Sequence, residues 1–314
     1  MNRRRSETPS RTAGEGGPLA AGERWVRASA TEPRFAPSPQ PSPPVGERET
    51  GDDEGPAGAL PALPIPKAAL VTGAARRIGR ALALALAEDG YAVAIHHHRS
   101  RAEAEAVAAE IGNGGGRAVA LAADLTDEAA VGDLLPRAAA ALGPIGVLVN
   151  NASIFENDTV ATATRESWEA HLAVNLRAPF VLMQHFAKAL PEGAGGIVVN
   201  LLDERVWNLT PHFVSYTVSK SALWTLTRTM ALALAPRIRV NGIGPGPTLP
   251  SPRQSAEQFA ERCRAMPLRR GTSPEEIAAA LRFILAAPAM TGQMIALDGG
   301  EHLGWAQAKA PVVE

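Results

Sequence analysis

The chain has 314 residues with a nearly balanced charge, 31 basic against 32 acidic side chains. This balance provides no positive field to concentrate nucleic acid or an anionic membrane surface, and no apolar run approaches the ~20 residues of a membrane-spanning helix. The single cysteine, Cys263, excludes a disulfide within the chain and favours a reducing compartment. We therefore expect a cytoplasmic protein without nucleic-acid or membrane partners.

The first 66 residues differ in composition from the rest of the chain. They contain 12 of its 26 prolines, and the run PSPQPSPP at 37–44 excludes a helix or a central strand there. A secretory signal would need an apolar segment after the first arginines, and the acidic residues at 52–54 argue against a transit peptide. We expect 1–66 to be a disordered Pro/Gly/Arg-rich extension, either a dispensable tail or an over-extended gene start. One domain over 67–305 and a C-terminal tail over 306–314 follow.

Short apolar runs alternate with longer amphipathic or alanine-rich segments throughout 67–305. The apolar runs are mostly continuous, which is typical of strands whose two faces are both covered by helices. These runs predict seven strands: Ala68–Val71, Ala92–Ile95, Ala118–Leu121, Val147–Val149, Ile197–Asn200, Ile238–Asn241 and Met294–Leu297.

The longer segments predict six helices: Ile78–Asp89, Arg101–Ile111, Glu128–Leu142, Glu166–Leu190, Tyr216–Ala235 and Pro274–Ala286. Thr126 or Asp127 can cap the third, and Ser273 with Glu276 has the pattern of a capping box. Strand followed by helix, repeated six times, indicates an α/β fold: a single Rossmann-type, doubly wound parallel sheet of about seven strands with helices on both faces.

A glycine-containing turn, TGAARRIG, lies between the first strand and the first helix. Gly73 permits a tight turn, and Gly79 permits close contact between helix and sheet. Arg77 stands where a middle glycine is often found. Free N–H groups at a helix N-terminus bind phosphate, so this turn is a candidate pyrophosphate site.

The second strand ends in His96, His97, His98, Arg99 and Ser100, with no acid. An acid there would bind a ribose 2′-hydroxyl, whereas arginine and serine can bind a 2′-phosphate. The pattern therefore favours NADPH over NADH. Neighbouring side chains on an extended chain point to opposite faces, so we expect no metal site at the histidines.

A later motif provides a candidate acid–base pair. Tyr216 and Lys220, four residues apart, lie on one face of a helix, and a nearby ammonium is expected to lower the pKa of the phenol. Together with the glycine turn, with Asn150-Asn151-Ala152-Ser153 and with the Pro245-Gly246 turn, this YxxxK pair resembles the motifs of the short-chain dehydrogenase/reductase family in their usual order.

The resemblance implies NADPH as the cofactor and four catalytic residues, Asn175, Asp203, Tyr216 and Lys220. Asn175 would support a water relay through the lysine. The implied cofactor-binding residues are Gly73, Arg77, Ile78, Gly79, His98, Arg99, Ser100, Asp124, Leu125, Asn151, Ala152, Tyr216, Lys220, Pro245 and Gly246. From the residues alone, Asp124 could equally be a helix cap.

Asp203 departs from the family pattern, because the usual serine lies 13 residues before the tyrosine. In this respect, and at Arg77, the sequence is similar to the pteridine reductase branch, which uses Asp, Tyr and Lys to reduce C=N bonds of pterins. That branch implies a pterin-like small-molecule substrate bound by Arg77, Ser153, Phe155, Asp203 and Tyr216, with Phe155 stacking on the ring. It implies NADPH-dependent reduction of a dihydropterin or dihydrofolate-like substrate.

Several alternatives stay open. The protein could be a short-chain carbonyl or alcohol oxidoreductase acting on another small metabolite, or a catalytically silent NADPH-binding protein in which Asp203 marks lost activity. Phe155 could belong to the core. The segments Val206–Phe213 and Leu249–Phe259 are expected to be substrate loops, and the family implies a homotetramer formed through the two long helices.

Overall fold

The computed structural model describes residues 63–251 and 253–304, and all structural statements below refer to these residues. The expectations for 1–62 and for 305–314 lie outside the described residues. Residues 63–66 already contact the domain: the Gly195 N–H donates to the Pro64 carbonyl at 3.0 Å, and Ile65 packs against the core.

Seven strands form one sheet in which every pairing is parallel. The strand order is β3-β2-β1-β4-β5-β6-β7, so the chain reverses its direction of travel between β1 and β4. The predicted fold class is confirmed. The strands are β1 Ala68–Val71, β2 Ala92–His97, β3 Ala118–Ala122, β4 Val147–Asn150, β5 Gly196–Leu201, β6 Ile238–Pro245 and β7 Met294–Leu297.

Eight α-helices flank the described part of the sheet or its loops: α1 Arg77–Glu88, α2 Arg101–Asn113, α3 Glu128–Leu142, α4 Arg165–Leu172, α5 Ala178–Ala189, α6 Val214–Leu234, α7 Ala256–Arg264 and α8 Pro274–Ala286. A π-helical turn, Ala173–Arg177, joins α4 to α5 without a break, so the helix predicted over Glu166–Leu190 is present but contains a π-helical turn that the sequence did not indicate. Helix α7 was not predicted. Two 3₁₀ turns, Glu204–Val206 and Glu301–Leu303, complete the elements.

The core has two layers, one on each face of the sheet. Leu148 of β4 packs in the layer formed with α3, α5 and α6. Its neighbours Val147 and Val149 pack in the layer formed with α1, α2 and α8. This alternation explains the continuous apolar runs in the sequence, since every strand residue meets a helix layer on one side or the other. No described helix is both long and apolar enough to cross a membrane.

Candidate active site

Two adjoining cavities lie at the carboxyl ends of the strands. The larger, of about 750 Å³, follows β1, β2 and β3, and the smaller, of about 270 Å³, follows β5 and β6. Arg77, Ile78, Asn151 and Ser153 line both cavities, at the point between β1 and β4 where the strand order reverses. Doubly wound folds bind their ligands at this position.

The glycine turn between β1 and α1 forms one wall of the larger cavity. A Cβ atom on Gly79 would lie 2.2 Å from the Gly73 carbonyl oxygen, so only glycine fits there. Asn151 Nδ2 donates to the carbonyls of Thr72 and Gly73, at 2.8 and 3.1 Å, which ties the turn to the segment after β4. The turn therefore keeps its backbone open toward the cavity, as close approach of a pyrophosphate requires.

Arg77 adopts a left-handed backbone conformation, with φ of 54°. This conformation favours glycine, which explains why a glycine is often found at this place in the motif. Its guanidinium donates to the carbonyls of Leu249 and Pro250, at 3.2 and 3.0 Å. Arg77 thus lines both cavities and connects the glycine turn to the segment after β6.

The histidines after β2 have separate roles. His96 is buried; its Nδ1 accepts from the Gly73 N–H at 3.1 Å, and its Nε2 donates to the Ala123 carbonyl at 3.2 Å. Burial lowers the pKa of His96 to about 4, so the ring is neutral and supports the glycine turn. This role of His96 was not predicted, although a polar residue near the end of a buried strand could have indicated it. No three His, Cys, Asp or Glu side chains cluster as a metal site in the described ranges.

The other predicted cofactor residues also lie at the two cavities. His98, Arg99, Ser100, Asp124, Leu125 and Ala152 line the larger one, and Pro245 and Gly246 line the smaller one. Asp124 accepts from the N–H and hydroxyl of Thr126, at 2.9 and 2.8 Å, and its carboxylate lies 3.6 Å from His98 Nε2. Asp127, not Asp124, caps α3.

Tyr216, Lys220 and Asp203 meet at the smaller cavity. The Tyr216 hydroxyl donates to Asp203 Oδ2 at 2.6 Å. Lys220 Nζ donates to the Leu201 carbonyl at 2.7 Å and lies 5.8 Å from the centre of the Tyr216 ring. The carboxyl end of β5 positions Asp203, and the first turns of α6 position the other two side chains.

The pKa of Tyr216 is shifted in the direction opposite to the one predicted. Burial, followed by the charge and hydrogen bond of Asp203, raises the pKa of Tyr216 well above its ordinary value. The predicted lowering by Lys220 is therefore wrong for this arrangement, because the carboxylate is the nearer charge. Burial also lowers the pKa of Lys220 to about 8. The phenol consequently keeps its proton at neutral pH, hydrogen-bonded to the Asp203 carboxylate.

Asn175 lies in the π-helical turn and is 1% exposed. Its Oδ1 accepts from the Ile154 N–H at 2.9 Å and from the Ser153 hydroxyl at 3.1 Å. Its Nδ2 donates to the Ile154 carbonyl and to Ser219 Oγ, both at 3.0 Å. Asn175 is outside the residues that line the cavities; it joins the segment after β4 to α6 and thereby holds Ser153 at the site.

Aromatic side chains close one side of the smaller cavity. Phe155 lines it and stacks on Phe213, with ring centres 4.5 Å apart and planes 4° from parallel. The Tyr216 ring meets Phe155 edge-on, with centres 4.7 Å apart. Phe213 has φ of 58°, a conformation that bulky residues rarely adopt. Phe213 ends the predicted substrate loop Val206–Phe213, but no pattern in that segment indicates its stacking on Phe155.

Comparison with known proteins identifies the family. Residues 67–261 match the family model described as short chain dehydrogenase. The crystal structure of FolM alternative dihydrofolate reductase 1 from Brucella suis, in complex with NADP, is 51% identical and covers 76% of this chain and 96% of that chain, with a TM-score of 0.74. The same protein from Brucella canis, also with NADP, is 49% identical over 78% of this chain and 97% of that chain, with a TM-score of 0.75.

A more distant relative points the same way. The 3-oxoacyl-[acyl-carrier-protein] reductase of Synechocystis is 34% identical over 74% of this chain and 95% of its own length. The chain therefore belongs to the short-chain dehydrogenase/reductase family, and the two FolM structures support the predicted pteridine reductase-like branch.

Proposed function

We propose that this protein is an NADPH-dependent reductase that reduces a C=N bond of a dihydropterin or dihydrofolate-like substrate. The observation that carries the proposal is the 2.6 Å hydrogen bond from the Tyr216 hydroxyl to Asp203, beside Lys220 and Phe155 in one cavity. This pair holds one mobile proton next to a flat aromatic wall. It is the arrangement that an imine nitrogen needs in order to be protonated.

NADPH fits the larger cavity. Gly79 allows α1 to pack closely against the glycine turn, whose residues line this cavity, and Arg99 and Ser100 suit the 2′-phosphate. Both FolM structures were solved with NADP, which supports the same cofactor here. NADPH, when bound, supplies the hydride that adds to the imine carbon. Lys220 would hold the nicotinamide ribose.

The proton balances the reduction. As the imine carbon gains a hydride, its nitrogen gains the electron pair of the C=N bond and takes a proton from the Tyr216–Asp203 pair. The pair is left with one more negative charge, which the Lys220 ammonium stabilises through the buried surroundings. A carbonyl substrate is less suited to this site, because its developing alkoxide would face the Asp203 carboxylate where the family's serine would donate a hydrogen bond.

Phe155 supports a ring-shaped substrate. One face of its ring is covered by Phe213, and the Arg253 guanidinium lies 5.8 Å from its centre, so Phe155 is held at the cavity by its neighbours. Stacking of an aromatic bicycle on such a ring contributes on the order of 1 kcal/mol beyond area burial. Ser153 and Arg77 lie on the same cavity and would contact the edge of the bicycle.

The test is a substrate panel followed by absorbance of NADPH. Purified protein is offered dihydrobiopterin, dihydromonapterin, dihydrofolate and a set of ketones. The unaltered protein should consume NADPH with at least one of the first three, and both Asp203→Asn and Asp203→Ser should reduce that turnover by about 10²-fold or more. Asp203→Asn keeps the size and shape of the side chain and removes its negative charge, so a loss of turnover in this variant is not caused by a cavity.

Other outcomes would identify the alternatives. Turnover of ketones alone would indicate a carbonyl reductase, and tight NADPH binding without turnover of any substrate would indicate a silent NADPH-binding protein. Undiminished pterin reduction by Asp203→Ser would contradict the role given to Asp203.

We also infer a cytoplasmic homotetramer, the state that the family resemblance implies. Large apolar side chains on two helices support self-association: Leu232 of α6 is 83% exposed and Phe283 of α8 is 58% exposed in the isolated chain. In the proposed tetramer a second copy of the chain would cover each of these side chains.

A further inference from the structure

Arg205 reaches back to the active-site carboxylate from the 3₁₀ turn after β5. Its Nη1 lies 3.0 Å from Asp203 Oδ1 and 3.3 Å from Oδ2, and its backbone N–H donates to Oδ1 at 3.0 Å. Oδ1 thus accepts from Arg205 alone, whereas Oδ2 accepts from both Arg205 and Tyr216. Arg205 and Tyr216 together fix the carboxylate in one orientation.

This ion pair is shielded from water. The side chains of Arg205 and Asp203 are only 11% and 13% exposed, so solvent screens their attraction weakly. The guanidinium also lies over the Phe155 and Phe213 rings, at 5.5 and 5.4 Å from their centres. Arg205 therefore contacts both the acid–base pair and the aromatic wall of the smaller cavity.

Glu204 is the nearest competitor for the Arg205 charge. Its carboxylate lies 3.4 Å from Arg205 and 3.2 Å from Arg262, and its side chain is 3% exposed. Burial, and then the charge of Asp203, raises the pKa of Glu204 to about 9. Glu204 is consequently mostly protonated at neutral pH and competes weakly with Asp203 for the Arg205 guanidinium.

We propose that Arg205 is a positioning residue that keeps the Asp203 carboxylate ionised and aimed at the Tyr216 hydroxyl, so that the mobile proton stays on the phenol until the substrate nitrogen takes it. This inference rests on the proposed function. Arg205 does not contact the transferred proton and acts only through Asp203. The ionisable side chains that surround the pair come from four elements: Glu204, Tyr216, Lys220, Arg262 and Glu301.

Turnover of dihydropterin by Arg205→Met and Arg205→Lys is the first test. Arg205→Met should lower kcat about 10- to 100-fold, the usual cost of misplacing a catalytic group, while the Kd for NADPH stays within about twofold. Its solvent isotope effect on kcat should increase, because proton transfer becomes slower relative to the other steps. Arg205→Lys keeps the charge and should recover most of the loss.

Arg228→Met is the matched control. Arg228 also lies over an aromatic ring, that of Trp224 at 5.1 Å, but forms no ion pair within the described ranges. Its loss should leave kcat and the solvent isotope effect unchanged. A kcat for Arg205→Met within about threefold of the unaltered protein, or an equal loss in Arg228→Met, would overturn the proposal.

A measurement without substrate separates this proposal from the proposed function. In protein labelled with ¹³C at the aspartate carboxyl carbons, the Asp203 signal is identified by its loss in Asp203→Asn. The midpoint of its titration should lie at higher pH in Arg205→Met than in the unaltered protein, and at an intermediate or unchanged pH in Arg205→Lys. An unchanged midpoint in Arg205→Met would overturn the role of Arg205, whether or not the protein reduces a pterin. Absence of pterin reduction would by itself reject only the proposed function.

Discussion

At the scale of single residues, the preference for NADPH depends on the side chains that follow β2. Arg99 lines the larger cavity beside Ser100, and no carboxylate stands in the place of an NAD-selective acid. A guanidinium binds a phosphate through charge-assisted hydrogen bonds, which are about twice as strong as neutral ones.

Replacing Arg99 by alanine should therefore weaken NADPH binding selectively. We expect Arg99→Ala to raise the Kd for NADPH by about 10- to 100-fold, the value of a hydrogen bond to a charged group, and to change the Kd for NADH by less than about twofold. Fluorescence titration with each cofactor measures both constants.

Arg101→Ala is the control for loss of charge nearby. Arg101 lies two residues further along, pairs with Glu105 at 2.7 Å and is absent from the residues lining the cavity. It should leave both constants unchanged. An equal weakening of NADPH and NADH in Arg99→Ala would show that Arg99 does not contact the 2′-phosphate.

The pairing of Asp203 with Tyr216 could be predicted from the resemblance to the family, because Asp203 holds the place of the serine that lies 13 residues before the tyrosine. The return of Arg205 to Asp203 and the stacking of Phe213 on Phe155 could not. Both contacts depend on the path of 204–213, a segment with neither apolar periodicity nor turn signals that fix its backbone. Contacts at the ends of regular elements could therefore be predicted from the sequence, whereas contacts that depend on irregular backbone could not.

At the scale of elements, the differences between expectation and structure have local causes. A π-helical turn adds a residue without removing the apolar side chains on either side, so the pattern over 166–190 continued to indicate one helix. Helix α7 has no buried residue, is only nine residues long and consists mostly of polar and charged residues, so its segment is typical of a loop. Its capping box, Ser255 with Gln258, was the signal that could have identified it.

Strand β6 continues four residues beyond its predicted end at Asn241. Gly242 and Gly244 lie in this extension, and the structure explains both. A Cβ on Gly242 would lie 2.5 Å from Leu202 Cδ1, and one on Gly244 would lie 2.8 Å from Met294 Sδ. These glycines therefore permit close packing within the sheet and do not end the strand.

Two helices with the same type of cap should respond differently to its removal. Ser273 caps α8, which buries five side chains, and Ser255 caps α7, which buries none. Ser273→Ala should lower the free energy of unfolding by about 1 kcal/mol, the usual value of an N-cap. Urea denaturation measures this change.

Ser255→Ala should instead act locally. Because α7 contributes nothing to the core, its loosening should leave the free energy of unfolding within about 0.5 kcal/mol of the unaltered protein. The KM for the pterin substrate should rise, since Phe259 and Arg262 of α7 line the smaller cavity. Equal effects of the two substitutions on global stability would contradict this division between a core helix and a cavity helix.

At the scale of the whole molecule, the number and direction of the strands follow from seven apolar runs separated by helices. The site follows from strand order, because the reversal between β1 and β4 opens the sheet edge at which both cavities lie. The association of chains could not be predicted in this way. It depends on exposed side chains, and no sequence pattern within one chain indicates which of them contact another chain.

The proposed tetramer makes a specific prediction about those side chains. A tetramer with two-fold axes needs at least two different interfaces, and Leu232 and Phe283 lie on different helices, α6 and α8. Placing a glutamate in one apolar interface leaves a buried unpaired charge there and leaves the other interface intact. Leu232→Glu and Phe283→Glu should each give dimers, and the double variant should give monomers, by light scattering coupled to size exclusion.

Val160→Glu is the control, because Val160 is 95% exposed in a segment outside the helices. It should leave the mass of the unaltered protein unchanged. A monomeric unaltered protein would reject the tetramer directly. A tetramer that survives both glutamates would place its interfaces elsewhere on the surface, and the exposure of Leu232 and Phe283 would then carry no information about assembly.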